Sequence, residues 1–136
     1  MIPYSKFSIS PLNEGKEEDD LAEQMLFAVA QAHMWHVLTK SYSKHKAFEM
    51  FYEEFSEIAD KIIEASIGNN GALSITNKSY VFSNVVDANS KIKELIGVLH
   101  IYHRKAEDYM QLGIVALLDE ALALCDSLLY KINMLE

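Results

Sequence analysis

The sequence predicts an all-α domain: four long helices arranged as two tight hairpins, with one long crossover between the second helix and the third. Three observations carry this. The chain has 136 residues and is 50% hydrophobic, which is enough for a single core in a single domain. Its two prolines are Pro3 and Pro11, so no proline interrupts the helical patterning that follows. The stretch from residue 87 to 135 would be about 73 Å long as one straight helix, incompatible with a compact domain of this size, so it must fold back on itself.

Taken in order, residues 1–16, with Pro3, Pro11 and Gly15, read as an extended arm. Glu17 to Asp20 place carboxylates at the start of the first helix, where the helix dipole favours them, and that helix runs to about Leu38. Ser41 or Ser43 is placed to cap the second helix, which ends at Gly68 before an Asn69-Asn70-Gly71 turn. Residues 69–86 form the crossover; the patch SYVFSNVV within it is too short and isolated for a sheet, and reads as an extended run or a short helix. The third helix starts near Asp87 or Ser90, and Gly113 is the expected break before the fourth.

Chemistry is concentrated in a stripe on the second helix. At about 100° per residue, with His45 at zero, Glu49 falls near 40°, Asp60 near 60° and Glu64 near 100°. Phe48, Phe51, Phe55, Ala59 and Ile62 fall between about 240° and 320°, so the core face lies beside the polar stripe. Because Asp60 lies about 22 Å along the helix from His45, the two cannot hold one ion within one chain. A second copy running antiparallel would unite the ends of the stripe as an isologous twofold dimer. His33 and His36 share a face of the first helix and are alternative nitrogen ligands to join His45. Nitrogen and oxygen donors together suit iron or zinc better than magnesium or calcium.

The residues carrying this stripe, QAHMWHVLTKSYSKHKAFEMFYEEFSEIADKIIEASIG at 31–68, resemble the first half of the DNA-protection-during-starvation (Dps) miniferritins of the ferritin-like superfamily. The segment WHVLTKSYSKH is also similar to small uncharacterised proteins of tailed phages. The resemblance implies a ferritin-like four-helix bundle with iron sites at a dimer twofold, where two histidines come from one subunit and an aspartate and a glutamate from the other. The order His33-x11-His45-x14-Asp60-x3-Glu64 fits that pattern, and Glu49 falls where a further carboxylate ligand is often found. Those miniferritins usually carry a tryptophan directly after the first histidine; here Trp35 precedes His36 and lies two after His33, so the equivalent ligand is His36 if the connection between the first two helices is shorter and His33 if it is not. The implied activity is oxidation and sequestration of iron, in a homo-oligomer that is at least a dimer and at most a cage. The reading from a different class is a non-enzymatic phage interaction or assembly protein that keeps the bundle without the metal chemistry.

Other features read as structural. Trp35 and Tyr52 are core or interface residues, Glu53, Glu54 and Glu57 the wet face of the second helix, and His100, His103 and Glu107 a polar row on the third. The lone Cys125, inside ALALCDSLLY, is expected to be a buried thiol. A net charge of −8 with pI ≈ 5.1 argues against binding a phosphate backbone, so no DNA partner is expected. No run of about 18 apolar residues is present, and there is no signal-like leader. Cytoplasmic residence, in the host if the gene belongs to a phage, is the corresponding expectation.

Overall fold

A computed structural model describes residues 20–134, and its four long helices are those the pattern demands. They are α1 Leu21–Leu38, α2 Tyr42–Asn70, α3 Ala88–Asp108 and α4 Leu112–Met134, with a 3-10 turn at Val85–Asp87 before α3 and no strand among the described residues. The arm at 1–16 and the acids Glu17 to Asp19 lie outside the described residues.

Local chemistry sets each boundary. The α1–α2 turn is only Thr39 to Ser41: Ser41 takes an extended conformation and its side chain accepts from the Lys44 N–H at 3.2 Å, a serine N-cap. At the other end α2 continues through Gly68 to Asn70. It stops where Gly71 adopts φ 90° and returns its N–H to the Ile67 carbonyl at 2.7 Å, so the helix is two residues longer than Gly68 implied. The left-handed cap, and not the first glycine met, ends the helix.

The break before α4 also differs from expectation. It lies at Met110, with φ 56°, while Gly113 is inside α4. The Gln111 N–H reaches back to the Ala106 carbonyl at 2.9 Å, and the Met110 N–H to Glu107 at 3.0 Å. This is the Schellman pattern, here closed with a methionine where glycine is usual.

The crossover's bonds fix the topology. Thr76 binds Glu23, Tyr80 reaches Glu23 and packs on Phe27, Ser83 binds Gln31, and the Trp35 indole N–H donates to the Ser83 and Asn84 carbonyls at 3.0 and 3.1 Å. These partners climb α1 from its first turn to its last, so the crossover runs alongside α1 and delivers the chain to the end where α2 began. Lengths agree: α2, at 29 residues, rises about 43 Å, and residues 71–84 extended reach about 46 Å. Helices α2 and α3 therefore run the same way, antiparallel to α1 and α4. Asn133 bonding Asn89 across α4 and α3, and Lys131 beside Met50 across α4 and α2, agree.

Asp20 ties three elements together at the start of α1. Its carboxylate takes Lys78 of the crossover at 2.8 Å, Gln24 at 3.2 Å and Tyr102 of α3 at 3.3 Å. Burial pushes its pKa up, but these partners outweigh that and hold it below the usual value.

The core contains the face read from α2: Phe48, Phe51, Phe55, Ala59 and Ile62 are all buried, with Trp35, Met25, Leu99, Leu118 and Leu128 from the other helices. Cys125 is fully buried among them, and burial pushes its thiol pKa to about 12, which removes the thiolate needed for reactivity. No helix among the described residues is long and apolar enough to cross a membrane.

Candidate metal centre

The short α1–α2 turn brings the last turn of α1 against the first turn of α2, and His36 faces His45 there. The His36 Nδ1 lies 2.8 Å from the His45 carbonyl oxygen, and the His45 Nδ1 lies 2.7 Å from the His36 carbonyl oxygen. A carbonyl only accepts, so each Nδ1 carries the hydrogen, and in the neutral rings each Nε2 keeps its lone pair. The rings stack with centroids 3.5 Å apart at 24°. One half of this clasp is also a helix cap: the His36 carbonyl is among the last four of α1, which lack partners within the helix, and His45 supplies one.

Glu49 stands one turn beyond His45 on α2. His36, His45 and Glu49 each offer a ligand-type atom, all within 4.8 Å of one another, and all three are half-buried. A ligating histidine characteristically donates its other ring N–H to a carbonyl or carboxylate, fixing tautomer and orientation. The reciprocal clasp provides that support before any metal arrives. Two imidazoles and one carboxylate thus fit a divalent transition metal by donor type and by hydrogen bonding, with coordination positions left for other ligands.

Lys46 is the contact that sequence reasoning passed over, although its i,i+3 spacing from Glu49 was visible. Its ammonium lies 2.9 Å from Glu49 Oε1. This hydrogen bond holds the Glu49 carboxyl below its ordinary pKa against the opposing effect of burial, and the charge of Lys46 adds to it.

The other predicted residues are distributed as follows. His33 is exposed and stacks on Tyr52 with centroids 4.5 Å apart at 21°, outside the three-donor group. Tyr52 also meets His36 edge-on at 5.5 Å, and burial, with Glu49 and Glu53 nearby, raises its pKa. Asp60 and Glu64 are exposed on α2, about 16 and 22 Å beyond Glu49 along the helix axis. The structure thus brings together His36, His45 and Glu49 and leaves His33, Asp60 and Glu64 apart within one chain.

On α3, His103 is occupied differently. Its Nε2 lies 2.7 Å from Asp119 of α4, and its Nδ1 lies 3.4 Å from Glu107. Both ring nitrogens face carboxylates, so this row is a clip across the α3–α4 hairpin. Asp119 was missed because its proximity depends on where that hairpin turns.

Over the described residues, fold and site together define an all-helical domain, two antiparallel hairpins with a surface cluster of nitrogen and carboxylate donors at one hairpin turn. The chain belongs to DUF5856, a family of unknown function whose pattern matches residues 36–132, from His36 into the last turns of α4. It is also similar to an uncharacterised 14.6 kDa protein of the mobD-ri intergenic region of Enterobacteria phage T4, 32% identical over 70 residues, which are 52% of this chain and 53% of that protein. The match thus spans about half the length of that relative. No solved structure matches the chain.

Proposed function

We propose that this protein binds a divalent transition metal, iron(II) in the first instance and zinc as the alternative, through His36, His45 and Glu49. The observation that carries the reading is the reciprocal clasp, which dedicates both Nδ1 atoms to backbone carbonyls, in a cluster where one ligand-type atom from each of His36, His45 and Glu49 lies within 4.8 Å of the others. Two histidines and one carboxylate with open positions are the donor set of many non-haem iron(II) centres, and two histidines with a glutamate also serve zinc.

Resemblance to the miniferritins supports an extension of this reading. Two copies would pair antiparallel along α2, so that Asp60 and Glu64 of one chain add carboxylates near the imidazoles of the other, in a dimer or a larger cage. Charge supports that pairing, because Lys40, Lys44 and Lys46 flank the imidazole end, while Glu53, Glu54, Glu57, Asp60 and Glu64, with Lys61 among them, follow along α2. Iron is then the substrate, each Fe(II) giving one electron to peroxide or dioxygen. The phage relative supports a phage origin, with the host cytoplasm as the place of action.

Anaerobic Fe(II) titration followed by oxidant is the test. Wild type should bind iron and then show a ferric absorbance rise in the near ultraviolet, and His36→Ala/His45→Ala should lose both. Asp60→Ala/Glu64→Ala should keep Fe(II) binding but slow the oxidation, and light scattering should give at least a dimer. Undiminished oxidation in the histidine double variant would remove the assigned site, and a clean monomer at micromolar concentration would remove the shared one.

The interaction-protein reading has its own support in Leu73, Ile75, Val81, Phe82 and Val86, large apolar side chains left exposed along the crossover and the 3-10 turn. Failure of wild type to bind any of Fe(II), Co(II) or Zn(II) would favour it.

A further inference from the structure

Beyond the donor set, we infer that Lys46 is a built-in counter-cation which sets the affinity and the selectivity of the His36–His45–Glu49 centre; the inference rests on that centre binding metal. The geometry is direct. The Lys46 ammonium is 2.9 Å from Glu49 Oε1, with the lysine side chain half-exposed and the glutamate side chain less so. In the metal-free protein Glu49 therefore already has a cation as partner. An arriving metal must displace that ammonium or share the carboxylate with it, and it meets a like charge within a few ångströms in either case.

The two donor types feel this unequally. Magnesium and calcium depend on carboxylate charge and gain little from imidazole, whereas iron, cobalt and zinc gain strongly from the two Nε2 atoms. Neutralising Glu49 with Lys46 penalises the first group more than the second. Lys46 thus makes the site weaker and more discriminating, a specificity device built from an unfavourable contact. Its position allows this without cost to the fold: it is on the exposed side of the first turn of α2 and takes no part in the clasp.

The test uses the whole chain, with Co(II) as the spectroscopic metal and Mg(II) as the competitor, on wild type, Lys46→Met, Glu49→Gln and the double variant. Lys46→Met should bind Co(II) about fivefold more tightly than wild type at low salt, the upper end for an exposed ion pair, and the gain should shrink as salt rises. Mg(II) should gain by a larger factor, so that the Co(II) to Mg(II) preference falls. In the Glu49→Gln background the Lys46→Met gain should fall clearly below fivefold, because the shared carboxylate charge is gone. Equal or weaker Co(II) binding by Lys46→Met, with wild type binding normally, overturns the inference and leaves the metal centre standing; it would mean that Lys46 serves to hold Glu49 in place. Binding by Lys46→Met alone supports it in its strongest form. No binding by any of the four proteins overturns both readings together.

Discussion

The two hairpin turns sit at opposite ends of the bundle, and each is fastened by histidine, but they spend their ring nitrogens differently. At the α1–α2 turn, His36 and His45 each give Nδ1 to a backbone carbonyl and keep Nε2. At the α3–α4 hairpin, His103 sets both nitrogens against carboxylates, Asp119 and Glu107, and keeps nothing. A histidine is available for chemistry only when its structural duty consumes at most one nitrogen. The first turn is a fastening that leaves donors for the proposed metal; the second spends both nitrogens on the fastening.

Breaking each clasp should separate these roles, and this contrast is the largest effect expected. His45→Ala removes a proposed ligand and uncaps the His36 carbonyl, so Co(II) affinity should fall by more than the roughly 10–100-fold that follows loss of a supporting partner alone. Stability in urea should fall by about 1 kcal/mol from the lost hydrogen bonds. His36→Ala should behave alike, with the double variant less than additive, since the two rings act as one unit. His103→Ala, whose carboxylate partners are exposed, should stay within about 0.5 kcal/mol of wild type and leave Co(II) affinity unchanged. Retained Co(II) binding in His45→Ala, or its loss in His103→Ala, would abolish the distinction.

Much of the fold could be read from the sequence because it rests on periodicity. The core face of α2, the Ser41 cap and the buried Cys125 follow from residue spacing and apolar context, which act locally. The site was legible only in part. His45 and Glu49 lie one turn apart on one helix, so their proximity is intrinsic, whereas the choice of His36 over His33 depends on the three-residue turn Thr39–Ser41 and on how α1 is rotated against α2. That is a tertiary quantity, and the x11 spacing pointed to His33 equally well. The same reason hid Asp119 from His103. Met110 was invisible for another reason: the left-handed turn there is imposed by the packing of α3 on α4, against the residue's own preference.

The helix ends at Gly71 and Met110 extend the comparison of the two halves with a smaller effect. Both take positive φ, at 90° and 56°, but only one has the residue suited to it. Gly71→Ala should destabilise by about 1 kcal/mol, because open space around the new methyl does not relieve the backbone penalty. Met110→Gly should stabilise by up to about 1 kcal/mol for the same reason in reverse, since Met110 is largely exposed and gives up little packing. Chemical denaturation of the two variants checks both signs. A destabilised Met110→Gly would mean that the methionine contributes contacts worth more than the strain.

The smallest effect concerns how the crossover is held to α1, where two backbone amides are bound by different chemistry. The Thr76 N–H donates to the Glu23 carboxylate at 2.8 Å and the Ser83 N–H to the Gln31 amide oxygen at 2.7 Å. Hydrogen bonds from the Thr76 hydroxyl and amide hold the Glu23 pKa below its ordinary 4.5, with burial opposing and Tyr80 adding a further bond. A depressed carboxyl pKa means that its stabilisation is complete above the unfolded value and is lost as pH falls through the folded one. Gln31 does not titrate, so its bond should persist. Hydrogen exchange between pH 6 and 3, corrected for intrinsic rates, should therefore show protection at Thr76 fading below about pH 4.5 while protection at Ser83 holds. Glu23→Gln should remove the pH dependence at Thr76. Parallel loss at both amides would mean that the crossover opens as one unit, controlled elsewhere, with Asp20 and its Lys78 partner the next groups to substitute.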